Sequence, residues 1–164
     1  MRVLGIDPGY AIVGYGLVEK NGNNITPLQY GVVRTEASLP IDVRLLEIYE
    51  DIKKLIDAFM PDSIAIEKLY FNTNETTAIN VSQARGVIVL ACAQAGVPIF
   101  EYTPLQVKLS VVGYGRAEKK QVQEMTRGIL RLKSIPKPDD AADALAIAVC
   151  HAHTAGSALF QKRF

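Results

Sequence analysis

"VLGIDPGYAIVGYGLVEK", residues 3–20, is the stretch on which the fold turns. Two apolar runs flank "DPGY", whose proline and glycine suit turn positions. The runs therefore read as strands over residues 2–7 and 11–19. One carboxylate, Asp7, stands at the end of the first strand, where burying a charge is costly. Whatever offsets that charge has to come from elsewhere in the chain.

Beyond this pair, "NGNN" at 21–24 is a turn signal and residues 25–35 read as a third strand, which makes an antiparallel meander. The period then changes. Residues 41–60 place Leu45, Ile48, Ile52, Leu55, Ile56 and Phe59 on one helical face, and Pro61 stops the helix. "SIAIE", residues 63–67, is a short buried strand ending in Glu67. Residues 73–95 form a second long helix. Its later half, "GVIVLACAQA", is apolar nearly all round, as suits a core helix or a subunit interface. A fifth strand over 97–102, a helical turn over 104–111 and a "GYG" loop follow. An amphipathic helix over 118–132 precedes Pro136 and Pro138, and a last helix runs over 139–153. The order β-β-β-α-β-α-β-α-α-α predicts an α/β domain with one mixed five-stranded sheet and helices on both faces.

Composition sets the bounds. The 164 residues suffice for one domain, and 49% hydrophobic with 21% charged residues is ordinary for a globular chain. Residues 86–100 are the longest apolar stretch. Gln94 and Pro98 interrupt it, and it is too short to span a bilayer. No signal peptide pattern follows Met1, so a cytoplasmic protein with no membrane association is expected. Cys92 and Cys150 sit in apolar helical contexts and read as reduced core residues. The net charge is only +1, but Lys108, Arg116, Lys119, Lys120, Arg127, Arg131, Lys133 and Lys137 share their window with just two acids, Glu118 and Glu124. Such a segregated basic region suits phosphates, and equally a solvated helix face.

If the fourth strand returns beside the first by a right-handed crossover, Asp7 and Glu67 emerge at the same sheet edge. In "PDDAADALAIA" Asp140 and Asp143 share a helix face at i, i+3, and Asp139 and Asp143 share one at i, i+4. The alanines around them let that helix approach a sheet closely. Each acid alone has an ordinary explanation. Asp7 favours the turn, Glu67 ends a strand, Asp139 or Asp140 caps a helix for about 1 kcal/mol, and Asp143 meets the helix dipole. Together they form an oxygen-rich set that suits Mg²⁺ or Mn²⁺, and two ions roughly 4 Å apart can clamp an in-line phosphoryl displacement.

With these residues in view, the chain resembles the RuvC family of bacterial crossover junction endodeoxyribonucleases, which resolve Holliday junctions. The matching pieces are "LGIDPG" (4–9), "IAIEKLYF" (64–71), "SQARGV" (82–87), "TPLQVK" (103–108), "VVGYGRAEKKQV" (111–122) and "DAADALAIA" (140–148), in order and nearly end to end. The resemblance implies an RNase H-like (retroviral integrase-like) fold and a single nuclease domain over 1–164. It implies that Asp7, Glu67, Asp140 and Asp143 are both the catalytic set and the ligands of two Mg²⁺ ions per subunit, with Mn²⁺ as a substitute. Asp140 is chosen over Asp139 because the family pattern begins directly before "AADALA"; Asp139 is then a helix cap or a spare acid near the metal. The resemblance further implies metal-assisted hydrolysis of four-way junction DNA by paired symmetric nicks, leaving 5′-phosphate and 3′-hydroxyl ends. It implies a homodimer that works with RuvA and RuvB.

Lys108 and Lys119 fit the family's DNA-binding positions, with Arg116 and Lys120 beside them and Arg85 as a further candidate. Tyr70 is expected to stack on bases unpaired at the crossover, where the family more often has phenylalanine, and Phe71 follows it. His151 and His153 read as ordinary C-terminal residues. Three other readings stay open on sequence. A related RNase H-like nuclease with another substrate is hardest to separate. A non-catalytic junction-binding module would have no use for four acids near phosphates. An actin-like or sugar-kinase-like ATPase would need a longer chain.

Overall fold

The computed structural model describes residues 1–68 and 75–155. Tyr70 and Phe71 lie outside the described residues. The elements are β1 (Arg2–Asp7), β2 (Ile12–Asn21), β3 (Asn24–Arg34), α1 (Ile41–Phe59), β4 (Ser63–Glu67), α2 (Glu75–Gln94), β5 (Ile99–Tyr102), α3 (Pro104–Val112), α4 (Lys119–Ile129) and α5 (Asp139–Thr154). The sheet order is β3-β2-β1-β4-β5. β1, β2 and β3 pair antiparallel, and β4 returns parallel to β1 with β5 parallel to β4. This is the mixed five-stranded sheet of an RNase H-like fold. The fifth strand begins at Ile99 rather than residue 97. Pro98 has no N–H to give the ladder, and only its carbonyl takes part, accepting from Ile64 N–H at 2.9 Å.

Alternation along the strands divides the core into two layers. Leu4, Ile6, Val13, Leu17, Ile64 and Ile66 pack with Ile48, Ile52 and Ile56 of α1 and with Ala84 and Ile88 of α2. Val3, Val18, Ala65 and Tyr102 pack on the other side with Leu145, Ala146 and Val149 of α5 and with Val107 and Val111 of α3. The apolar half of α2 is not buried all round. Ile88, Ala91 and Cys92 are covered, while Leu90 stands 51% exposed. Both cysteines are buried and free.

α5 lies flat on β1 and β2. A Cβ on Gly5 would overlap the carbonyl of Ala144, and one on Gly14 would overlap the carbonyl of Asp140. Backbone therefore rests on backbone, a contact only glycine permits. The alanines of α5 fit the same close approach: Ala141, Ala142, Ala144, Ala146 and Ala148 are all buried. The cap of α5 differs from expectation. Pro138, after a cis Lys137–Pro138 bond, holds the N-cap position, and no side chain caps the helix. Asp139 is the first helical residue. Its carboxylate turns outward to Lys137 Nζ at 2.7 Å instead of reaching back to a backbone N–H.

Candidate active site

Register brings the acids together. Ile6 pairs with Ile66 across the parallel β1–β4 ladder, so Asp7 and Glu67 leave neighbouring strand ends side by side. Asp7 follows Val3 and Gly5 at two-residue steps, and Glu67 follows Ser63 and Ala65, so both carboxylates belong to the face that carries α5. Across the β1–β2 ladder Asp7 pairs with Gly14. Gly14 is the point where the backbone of Asp140 presses on the sheet, which sets the first turn of α5 beside Asp7. Asp143 follows one helical turn later.

The turn after Asp7 is held from below. The Thr35 hydroxyl donates to the Tyr10 carbonyl at 2.9 Å, and Arg44 Nε donates to the Thr35 hydroxyl at 2.9 Å. The Arg44 guanidinium also lies 3.6 Å from the centroid of the Tyr10 ring, a cation–π contact. Arg44 is buried at the head of the stripe that continues through Ile48, Ile52 and Ile56.

The acids are electrostatically frustrated. The Asp7 carboxyl is pushed from 3.8 up to about 7, chiefly by burial and then by the charges of Glu67, Asp143 and Asp140. Burial also raises Glu67, with Asp143 adding to it. Asp143 is raised by burial and by Asp139 and Asp140, against the opposing pull of Lys119. Among the described residues no three of these side chains are gathered into a closed coordination shell. The ammonium of Lys119 stands at the acids instead, 2.7 Å from Asp143 Oδ2 and 3.8 Å from Asp139 Oδ2. Burial works against the Lys119 charge, but the hydrogen bond to Asp143 and the charges of Asp143, Asp139 and Asp7 raise its pKa above the ordinary value.

A cleft of about 220 Å³ opens beside the acids. Glu67, Asp143, Lys108 and Lys119 line it, over a floor that includes Val107, Val122 and Ile147. Lys108 and Lys119 thus sit where the acids sit. Arg116 and Lys120 are exposed on the loop before α4 and on its first turn. Arg85 is placed differently. Its side chain is only 15% exposed, its Nη2 pairs with the Glu101 carboxylate, and its Nε donates to the Glu67 carbonyl at 3.4 Å. It braces the end of β4 from α2.

Two features escape a reading of the sequence. Lys119 reads there only as a phosphate contact, and the structure shows it also paired with Asp143. His151 reads as an ordinary C-terminal residue, and the structure buries it at 2% exposure. Its Nε2 lies 3.0 Å from Ser63 Oγ, and its Nδ1 lies 2.7 Å from the Tyr102 hydroxyl. Burial holds the imidazole neutral, with its pKa lowered to about 4. The signal was present in the sequence: Ala144, Ala148 and His151 fall on one stripe of the helix, the stripe that meets Gly5.

Comparison with known proteins agrees with this geometry. The family model described as "Crossover junction endodeoxyribonuclease RuvC" matches residues 3–151. The protein of that name from Brevibacillus brevis is 60% identical over 152 residues, covering 93% of this chain and 92% of its own. That from Ruminiclostridium cellulolyticum is 56% identical over 166 residues and covers both chains fully. The structure of Thermus thermophilus RuvC in complex with a Holliday junction substrate superposes with a TM-score of 0.93 at 38% identity, covering 100% of this chain and 99% of that one. Sequence, sheet order and site converge on one conclusion: the chain belongs to the RuvC family of crossover junction endodeoxyribonucleases.

Proposed function

We propose that this chain acts as a single nuclease domain that hydrolyses phosphodiester bonds in Holliday junction DNA, with Asp7, Glu67, Asp140 and Asp143 as its catalytic set. One observation carries the reading. Asp7 has been drawn into a buried, acid-rich corner that raises its pKa to about 7, an arrangement that disfavours the charge in the free protein. Such groups are retained where function uses them.

The donor set fits a hard divalent cation. All four side chains offer carboxylate oxygens, their charges are incompletely offset, and neither histidine nor a thiol stands among them. Mg²⁺ is the expected ion, two per subunit, with Mn²⁺ able to replace it. A cation bound there supplies charge to the scissile phosphate and makes a bound water more acidic. The chain's own residues do the rest. Asp7, between the strand neighbour Glu67 and the helix acids, is the ligand that both halves of the site share. Lys108 and Lys119 hold flanking phosphates at the cleft, and Arg116 and Lys120 extend that contact along the backbone. Arg85 positions Glu67 through Glu101 and the β4 carbonyl. Tyr70 is the expected stacking residue at the crossover. Attack by water at phosphorus with departure of the 3′ oxygen leaves 5′-phosphate and 3′-hydroxyl ends.

Paired nicks require two sites, and a homodimer supplies them. The apolar half of α2 from Gly86 onward, where Leu90 is exposed, is its candidate contact surface. RuvA and RuvB are the expected partners on the junction. Among the described residues no helix is long and apolar enough to cross a membrane.

The test is cleavage of a synthetic mobile four-way junction, with Mg²⁺ or with chelator, beside a plain duplex and a flap. Metal-dependent, symmetric paired nicks on the junction support the reading. Tight binding with no cleavage under any divalent metal would make the chain a binding module, and preferential cutting of duplex or flap would overturn the substrate.

A further inference from the structure

The loop between α3 and α4 carries an aromatic ring with no task in the fold. Tyr114 is 56% exposed. Its side chain has no hydrogen-bond or ring partner among the described residues. Its placement is nonetheless fixed. Gly113 ends α3 in the left-handed conformation at φ 79°, and its N–H donates to the Leu109 carbonyl at 3.0 Å. Gly115 then packs onto Leu105, where a Cβ would lie 2.6 Å from a Leu105 methyl. The Ala117 N–H closes the turn on the Tyr114 carbonyl at 3.2 Å. A rigid loop thus holds one unpartnered aromatic side chain outward.

The neighbours say what it meets. On α3, Leu105 and Leu109 are 55% and 45% exposed, and Lys108 lies between them on the helix and lines the acid cleft. Arg116 follows Tyr114 by two residues and is exposed. An exposed ring beside exposed leucines and cations, on a helix whose Lys108 reaches the acid cleft, has the chemistry of a single-strand stacking platform: rings take base faces and cations take the backbone. A folded protein partner would fit the leucines but gives no reason for Lys108 and Arg116 to flank them. We propose that Tyr114 stacks on an unpaired nucleobase at the crossover of the junction, on the α3 side of the cleft. This rests on the junction-nuclease reading above. It adds a second aromatic contact on an element separate from the segment that holds Tyr70.

The experiment compares the full-length protein with Tyr114→Phe, Tyr114→Leu and Tyr114→Ala. Junctions carry 2-aminopurine at single positions flanking the crossover, and binding is measured in Ca²⁺ to prevent cutting. Expected is quenching at one or two positions by the wild type and by Tyr114→Phe. Tyr114→Leu and Tyr114→Ala should lose that quenching and bind the junction roughly tenfold more weakly, with little change on duplex. The side chain is exposed, so thermal midpoints should agree and exclude misfolding. If the wild type ignores junctions, the junction reading itself falls. If the wild type binds and cuts them while Tyr114→Ala matches it in quenching and affinity, this inference alone falls. Equal loss on junction and duplex, or full rescue by leucine, also overturns stacking.

Discussion

Asp7→Asn should make the metal-free protein more stable while destroying its activity, and the gain should depend on pH in a sense opposite to that of a typical carboxylate. Asp7 ionises at about 7 in the folded chain against an ordinary value of 3.8. Between those values the native state binds the proton and the unfolded state does not. Stability therefore falls as pH rises from about 4 to about 7, and the loss is complete above the folded value. The difference of about three units corresponds to roughly 4 kcal/mol at about 1.4 kcal/mol per unit. Asparagine keeps the shape and never ionises. Its advantage over the wild type should therefore grow by about 2.7 kcal/mol between pH 5 and pH 8, which at roughly 2–4 °C per kcal/mol for a chain of this size is roughly 5–10 °C in midpoint. The assay is thermal unfolding in chelator at both pH values. Adding Mg²⁺ at pH 8 should then raise the wild type more than the variant, because the ion binds the native acids. A gap between the two proteins that stays flat from pH 5 to pH 8 would refute the burial argument for Asp7.

Other outcomes follow from the same geometry. Glu67→Gln should bind junctions with near wild-type affinity and cut them about a thousandfold more slowly or worse, measured in single turnovers. Lys119→Met should lower the slope of log binding constant against log salt by about one, since one phosphate contact is lost; an unchanged slope would assign Lys119 to Asp143 alone. Gly14→Ala should push Asp140 off the sheet, lowering stability by about 1–3 kcal/mol and cleavage with it, as read by denaturant titration and nicking rate. His151→Leu should cost about 1–3 kcal/mol, since it leaves the buried Ser63 hydroxyl without its partner while Tyr102 keeps only Thr154. It should also remove a loss of stability on acidification from pH 6.5 toward 4, since a histidine buried neutral must otherwise charge on unfolding.

The order of elements was legible because two periods alternate along the chain and turn residues punctuate them. From that order alone, parallel pairing of β4 with β1 placed Glu67 beside Asp7, and the alanines around Asp140 and Asp143 foretold a helix resting on a sheet. What stayed hidden depends on contacts between elements. Lys119 belongs to a helix whose docking against α5 no local pattern encodes, so its pairing with Asp143 was invisible. The burial of Arg44 under the Tyr10 ring was likewise hidden, because Tyr10 comes from a turn far back in sequence. The cap of α5 was misread because an aspartate that can cap can equally turn out to a lysine, and here Lys137 holds it. His151 was misread for want of attention to the stripe it shares with Ala144 and Ala148.

The placement of α5 has a consequence for how the enzyme comes into being. Its two acids are encoded near the end of the described chain, whereas Asp7 lies near the beginning. During synthesis β1, β2 and β4 emerge first, and the glycine shelf waits bare while the rest is made. Until α5 settles on that shelf, a ribosome-bound chain carries Asp7 and Glu67 without their partners. With the proposed catalytic set, a partly made product would hold only half of its acids, and cutting should begin only once α5 has docked. For a junction nuclease, that sequence of events would be a safeguard written into the order of its strands and helices.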